Sequence, residues 1–236
     1  MTTTTTFPIT DLQRLRTRAA KLAQPPADGP KRWSKGVADP MKILAVFKPL
    51  WIRDGHILRA YQFRDGMGNG NGVVWAMPVD ADFPEPDECP RVEGVFLEPP
   101  KPPVALDDVM KAIDGDGSPW SYVCASLLAR ELAEFGAMWH GCGWSEHAIL
   151  GENPFNAKEG DTPTFDPAAW QWNESEPKEW KPEVTEDGNN VTVTFYTYSG
   201  LMPEGIRRHT DTFRKGSYCF KSRRKDIATG PGGYVF

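Results

Sequence analysis

The first apolar pattern in the chain has the spacing of a helix. Its apolar positions recur every three or four residues and are Ile9, Leu12, Leu15, Ala19 and Leu22. This spacing places the apolar side chains on one face, and Thr10 with Gln13 makes a capping box at the start. We predict a helix over residues 9–24 that docks on the body of the protein or on a partner subunit. The threonine-rich residues 1–8 are predicted to be disordered.

Region 41–100 carries the short apolar runs that are typical of strands. Three such runs are "KILAVF", "HILRAYQF" and "GVVWAMPV", which begin at Lys42, His56 and Gly72. Turn signals separate them, and these include the glycine-rich residues 65–72, interpreted as a flexible hairpin loop. The run "VEGVFLE" at 92–98 lies among prolines and predicts an edge strand. The region is therefore predicted to be β-rich.

Region 104–139 returns to helical spacing. The run "VALDDVMKAI" predicts a short helix, and residues 118–139 predict a longer one with Ser118 as N-cap and Gly136 as a stop signal. The apolar stripe of the longer helix consists of Cys124, Leu128, Leu132 and Phe135. We interpret it as a core helix.

Region 144–236 is again predicted to be β-rich and to form a meander. In "VTVTFYTY" the apolar residues Val191, Val193 and Phe195 alternate with residues that point the other way, Thr192, Thr194, Tyr196 and Tyr198. The whole pattern predicts an α+β fold: a mainly antiparallel sheet, which could close into a half-barrel, with an N-terminal helix and a helical insertion before the C-terminal meander.

Composition narrows the class of protein. The chain has 236 residues, 39% of them hydrophobic, with nine tryptophans and a net charge of −5, so we expect one folded domain over 1–236, built as one core or two lobes. Neither a membrane-spanning run nor a secretory signal is present in the sequence, and four cysteines without a CxxC pair suggest reduced thiols. The cytoplasm is the expected location. A targeting segment or membrane-surface helix in residues 1–24 is the alternative.

The stretch "WHGCGWSEH" at 139–147 concentrates reactive side chains. His140, Cys142 and His147 are all zinc ligands by type, but their spacing matches no familiar finger and a closed site needs a fourth ligand. Glycines on both sides of Cys142 permit a chain reversal. We favour a turn from helix to strand and no cofactor, with a zinc site as the alternative.

A second candidate chemistry uses the order Cys, His, Asp. Cys124 lies in the early turns of the predicted helix, where a helix dipole can stabilise a thiolate, and His147 and Asp166 follow it in the chain. This order is compatible with a cysteine-dependent hydrolase or acyl-transfer enzyme. The apolar stripe that contains Cys124 favours core packing instead.

Aromatic and basic residues of the last region are the candidate binding residues. They are Trp170, Trp172, Tyr196, Tyr198, Arg207 and Arg223. Residues 207–225 hold eight basic residues against one acid, a composition that suits nucleic acid but also an ordinary solvated face, and the overall negative charge disfavours nucleic acid. We therefore expect a non-catalytic cytoplasmic protein that binds a protein partner or small ligand through an aromatic-rich sheet face or cleft. The alternatives are the hydrolase and nucleic-acid binding through the basic meander.

Overall fold

A computed structural model describes residues 2–23, 32–65, 69–156 and 165–235. The chain forms two compact units. The first, here called the meander unit, consists of Met1–Gln13, Ser145–Lys215 and Phe220–Phe236. The second, the helical unit, consists of Arg14–Trp144 and Gly216–Cys219. Because a domain can consist of two lobes, the single domain over 1–236 stays a prediction.

One antiparallel sheet makes up the meander unit. Its strands are β1 (Thr2–Thr6), β7 (His147–Leu150), β8 (Gln171–Trp172), β9 (Glu183–Asp187), β10 (Asn190–Ser199), β11 (Gly205–Arg214) and β12 (Phe220–Thr229). The order is β1-β9-β10-β11-β12-β8, and β7 pairs with the end of β10 that lies beyond β9. This curled half-barrel sheet, together with the helices, confirms the α+β fold class.

The predicted meander and its alternation are confirmed. Val191, Val193 and Phe195 are fully buried, whereas Thr192 and Thr194 are half-buried. Gly188 makes the turn from β9 to β10 with a φ of 58°, a backbone conformation that glycine adopts without strain. The sequence pattern therefore fixes which face of β10 meets the core.

The helical unit holds smaller sheets and most of the helices. Its strands are β2 (Trp33–Lys35), β3 (Leu50–Ile52), β4 (His56–Arg64), β5 (Gly70–Pro78) and β6 (Ile113–Gly115). They form a sheet of order β2-β4-β5 and a two-stranded sheet of β3 and β6. The helices of the chain are α1 (Ile9–Ala23), which begins in the meander unit, α2 (Pro40–Leu44) and α3 (Pro119–Ala133). None in the described ranges is long and apolar enough to cross a membrane.

The helix α3 confirms the predicted core helix and shows where it ends. Its stripe of Cys124, Leu128 and Leu132 is buried, and Ser118 caps it by accepting the backbone N–H of Ser121 at 3.2 Å. The sequence left open whether the helix stops near Gly136 or continues to residue 139; α3 ends at Ala133, and Gly136 reverses the chain with a φ of 67°.

Two predicted strands are wrong. Residues of "KILAVF" belong partly to α2, because Asp39 caps the helix by accepting Met41 N–H at 2.9 Å and Pro40 starts it. The run "VEGVFLE" forms no strand, since Leu97 and Glu98 adopt positive φ angles of 61° and 41° that interrupt an extended chain.

Two further expectations change at shorter elements. The predicted helix in "VALDDVMKAI" is only a single 3-10 turn at Val109–Ala112, after which the chain enters β6. The predicted disorder of residues 1–8 is wrong for Thr2–Thr6, because this β-branched run pairs with the edge of β9. The Pro-Pro pair after α1 and part of the glycine-rich loop, residues 66–68, lie outside the described residues.

Candidate functional site

A cleft of about 310 Å³ lies within the helical unit. Three segments form it: the first half of β5, the segment that enters the 3-10 turn, and the last turn of α3. The lining residues are Gly72, Val73, Val74, Trp75, Asp107, Asp108, Val109, Met110, Ala129, Leu132 and Ala133. The site therefore has apolar walls and two carboxylates.

The floor of the cleft is the free edge of a strand. On one side β5 pairs with β4 in continuous antiparallel register. On the other side Gly70 exchanges both backbone hydrogen bonds with Met138, and the carbonyl of Ala76 accepts the Leu106 N–H at 3.0 Å. Because hydrogen-bonding direction alternates along a strand, the backbone groups of Gly72 and Val74 also point away from β4. The edge is thus partnered at both ends and open between them.

Two observations describe this open stretch. The N–H of Gly72 donates to the side-chain Oδ1 of its neighbour Asn71 at 2.9 Å, and Val74 has no outward backbone partner among the described residues. A Cβ at Gly72 would lie 1.9 Å from the carbonyl oxygen of Phe135. Glycine is therefore required at this point, because the chain that follows α3 passes directly against the strand.

The carboxylates at the rim are fixed by different partners. Asp107 forms an ion pair with Lys101, whose ammonium group donates to Oδ1 and holds the pKa of Asp107 below its usual range. Asp108 accepts the backbone N–H of Met110 at 2.9 Å and so caps the 3-10 turn. Among the lining residues these two are the ionisable ones, so the lining itself carries a formal charge of −2.

The walls of the cleft are apolar and formed by buried side chains. Leu132 and Met110 are almost fully buried, and Trp75 is held by its indole N–H, which donates to the carbonyl of Pro100 at 2.8 Å. The lining contains no Cys, His, Ser or Lys side chain among the described residues. A site of this composition suits binding through backbone groups and apolar contacts.

The cleft was not found from the sequence. Its strand and its helix were both predicted, but the meeting of residues 72–75, 107–110 and 129–133 depends on tertiary packing. The signal in the sequence was glycine in a strand, which marks a close approach of another backbone.

The 139–147 stretch forms the predicted turn. It contains two 3-10 turns, Trp139–Gly141 and Trp144–Glu146. Within the helical unit, Glu134 Oε1 accepts the N–H groups of Gly143, at 2.8 Å, and of Trp144. The guanidinium of Arg16 lies 4.1 Å from the centre of the Trp144 ring, and the Trp144 indole donates to Glu131 at 2.8 Å. Trp144 is thus fixed by cation–π and hydrogen-bond contacts.

Burial dominates the ion pair beside this tryptophan. Arg16 Nε donates to Glu131 Oε1 at 3.2 Å, and only 9% of the Glu131 side chain is exposed. Desolvation raises the pKa of Glu131 and lowers that of Arg16, which shows that both charged forms lose hydration on folding. The pair therefore contributes to the geometry of the turn more than to net stability.

The predicted zinc ligands fall in both units. His140 is exposed and Cys142 half-buried in the helical unit, whereas His147 is buried in the meander unit. No group of three or more His, Cys, Asp or Glu side chains in the described ranges is arranged to hold a metal ion. The zinc site stays a prediction.

His147 belongs to a buried hydrogen-bond network of the meander unit. Its Nδ1 lies 2.8 Å from the hydroxyl of Thr197, which lies 2.9 Å from Nε2 of His209. Arg207 donates to Nε2 of His147 at 3.0 Å and to Asp226 at 2.9 Å. The network joins β7, β10, β11 and β12 and was missed by sequence reasoning.

The direction of the hydrogen bonds in this network follows from the donors. A guanidinium can only donate, so Nε2 of His147 accepts and the imidazole proton sits on Nδ1, which donates to Thr197. The hydroxyl of Thr197 therefore accepts from His147 and also contacts Nε2 of His209. The imidazole of His147 is thus fixed in a single tautomer.

The residues of the hydrolase hypothesis lie in different units. Cys124 is fully buried in the helical unit, and desolvation raises its pKa to about 12. His147 and Asp166 lie in the meander unit, where exposed Asp166 caps a 3-10 turn by accepting Ala168 N–H at 3.0 Å. Burial of this kind favours the neutral thiol over the nucleophilic thiolate. The triad itself stays a prediction.

The predicted aromatic binding residues pack against other aromatic rings of the meander unit. Trp170 and Tyr198 belong to a cluster of rings in the meander unit with Phe155 and Phe165, and Trp172 lies 5.4 Å from Phe155. A separate pair joins Tyr196 and Trp180 at 5.2 Å. These contacts give the tryptophans a core role.

The two arginines among the predicted binding residues differ in burial. Arg207 is buried within the histidine network, whereas Arg223 is exposed on β12. Residues 221–226 of β12 are exposed in succession, as expected for a solvated strand. Binding by these aromatic and basic residues stays a prediction.

Comparison with known proteins provides no relative. No protein-family model, curated protein or solved structure matches the chain.

Proposed function

We propose that this chain is a non-catalytic, cytoplasmic binding protein that holds a ligand or a segment of a partner in the cleft of the helical unit. The observation that carries the proposal is the open stretch of the β5 edge at the floor of the cleft. A buried strand edge without a partner leaves backbone hydrogen-bonding groups to be satisfied, so a ligand gains from filling it.

The size and lining of the cleft support ligand binding. Its volume of about 310 Å³ is at the lower end of the range found for small-molecule sites. Leu132, Met110 and Trp75 supply apolar walls held by packing, which lowers the entropic cost of binding. A compact ligand or a few residues of a peptide would fit.

The chemistry of the lining supports binding over catalysis. Asp107 is paired with Lys101, and Asp108 caps a 3-10 turn. Among the described residues, the lining holds no Cys, Ser or Lys side chain that either carboxylate could activate as a nucleophile. We therefore assign these carboxylates to recognition.

The cysteines support the cytoplasmic location. All four, Cys89, Cys124, Cys142 and Cys219, are free thiols. Reduced thiols are typical of proteins kept in the reducing environment of the cytoplasm.

A binding screen with a blocked cleft tests the proposal. Purified protein is screened by ligand-observed NMR against a fragment library and a pool of synthetic peptides. Ala133 is exposed and lines the cleft, so Ala133→Phe should fill part of it without disturbing the core. Ala20→Phe, also at an exposed helix position, is the matched control.

The two variants separate the outcomes. We expect ligands that bind the wild-type protein and Ala20→Phe but lose affinity for Ala133→Phe, with unchanged circular dichroism in all three proteins. The proposal is wrong if no compound binds the wild-type protein, or if every bound compound binds the folded Ala133→Phe protein equally well.

A further inference from the structure

We infer that the ligand of the cleft is an extended peptide segment that carries a lysine or arginine and adds to the outer edge of β5. This inference rests on the proposed function and names the ligand of the same site. It follows from the direction of the backbone groups, the room between the partnered ends of the edge, and the charge of the lining.

The outer edge of β5 has backbone groups that an extended peptide could pair with. Gly72 and Val74 direct their N–H and carbonyl groups away from β4, as Gly70 and Ala76 do where Met138 and Leu106 bind them. A peptide in extended conformation presents matching groups at the same spacing of two residues. The protein already uses this edge twice for its own chain, and the peptide would continue the same pairing.

One of these backbone groups is hydrogen-bonded to a side chain of the protein. The Asn71 carbonyl oxygen accepts the Gly72 N–H at 2.9 Å. This contact shows that the N–H is accessible to an acceptor from outside the ladder. A peptide carbonyl would replace the Asn71 oxygen at no net loss of a hydrogen bond.

The length of the open stretch limits the peptide. Gly70 and Ala76 are six positions apart, which corresponds to about 20 Å at ~3.3 Å per residue. The chain segments at Met138 and Leu106 occupy the two ends. The space between them suits about three residues of an extended chain, and longer ligands would leave the cleft at its open side.

The rim charge selects the side chain. Asp107 is already paired with Lys101, whereas Asp108 forms no ion pair within the described residues and so supplies the negative charge that a ligand can meet. Their Oδ1 atoms accept from Lys101 and Met110, and each carboxylate has a second oxygen that can accept a further donor. A lysine or arginine of the peptide complements this charge, whereas an acidic side chain would be repelled.

The test uses three hexapeptide libraries with Lys, Glu or norleucine fixed at one position, measured by fluorescence polarisation. Norleucine keeps most of the apolar length of lysine without its charge. We expect the Lys library to bind roughly tenfold more tightly than the norleucine library, since hydrogen bonds to charged groups are among the stronger ones. The Glu library should bind most weakly.

Two changes separate charge recognition from backbone recognition. Asp108→Asn keeps the capping oxygen but removes the charge, so it should remove most of the preference for Lys over norleucine. Peptides from the Lys library with N-methyl groups at the central amides should bind roughly tenfold more weakly, because they cannot donate to the strand edge. Amide exchange at Val74 should slow when the unmodified peptide is bound.

The outcomes distinguish this inference from the proposed function. Equal binding of Lys and norleucine libraries, or full binding of the N-methylated peptides, overturns the inference. Fragments that bind the cleft while none of the peptides does would also overturn it, and would leave the proposed function standing. The absence of any ligand that is sensitive to Ala133→Phe would overturn both.

Discussion

Removing the hydroxyl of Tyr218 tests how the segment Gly216–Cys219 is held in the helical unit. This hydroxyl accepts the N–H of Gly117 at 2.9 Å and lies 2.7 Å from the hydroxyl of Ser121. Ser121 donates its own hydrogen to the Ser118 carbonyl at 2.7 Å, so Tyr218 must be the donor between the two hydroxyls. Burial raises the pKa of Tyr218 and keeps it a donor at neutral pH.

The expected cost of Tyr218→Phe follows from these two bonds. A net hydrogen bond contributes about 1 kcal/mol, and a buried group left without its partner costs more. Ser121 is fully buried but keeps its bond to Ser118, and Gly117 is exposed and can bind water. We therefore expect the free energy of unfolding to fall by about 1 to 2 kcal/mol.

Urea denaturation followed by circular dichroism measures this loss. Tyr234→Phe is the matched control, since that phenol is 47% exposed while donating to Glu146, and its loss should be within about 0.5 kcal/mol. In the double variant with Ser121→Ala, the total cost should be smaller than the sum of the single costs, because both changes remove the same bond. Equal effects of the two Tyr→Phe changes, or additive costs in the double variant, would refute the reasoning.

Three other changes address other parts of the chain. Because the pKa of Cys124 is raised to about 12, a maleimide at pH 7 should label Cys142 before Cys124, as read by mass spectrometry of the native protein; selective labelling of Cys124 would support the hydrolase hypothesis instead. Thr197→Val removes the hydroxyl between two buried imidazoles and should lower the free energy of unfolding in urea by about 2 kcal/mol; a loss below ~0.5 kcal/mol would contradict the network. Burial raises the pKa of Glu131. The protonated side chain therefore stabilises the folded protein below about pH 4.3, and this stabilisation is lost as the pH rises through the folded-state pKa. Glu131→Gln should gain stability relative to wild type in urea titrations as the pH rises from 4 to 7; a relative loss would show that the ion pair with Arg16 outweighs desolvation.

Local patterns were enough to predict the long elements of the fold. The core stripe of α3 and the alternation of β10 each depend on one continuous segment, and both are as predicted. The errors occur where a single capping or backbone feature competes with the apolar pattern. At α2, Asp39 and Pro40 start a helix that continues into the run of strand-forming residues at 42–47, and around Leu97 the positive φ angles break a predicted strand.

The cleft could not be predicted because its residues are chemically ordinary. In its own segment, each of Val74, Leu132 and Met110 has the pattern of a core residue. The open strand edge between them arises only from the way the segments pack together. Asp107 and Asp108 read as the start of a helix. A binding site built from backbone groups leaves no motif of reactive side chains in the sequence, whereas the turn at 139–147 carries such side chains.

The histidine network, in contrast, was accessible to the same rule that predicted the strands. Val191, Val193 and Phe195 set the buried face of β10, and continuing by two residues leads to Thr197, which is fully buried. On β11, every second residue before Phe213 is also buried. These residues are Asp211, His209 and Arg207. Polar residues that fall on the buried phase of a strand must find partners on neighbouring strands, because an unsatisfied buried group is costly. The alternation of buried and exposed positions along each strand therefore indicates which histidines, threonines and arginines share the buried face of a meander. It does so even for residues that are far apart in the sequence.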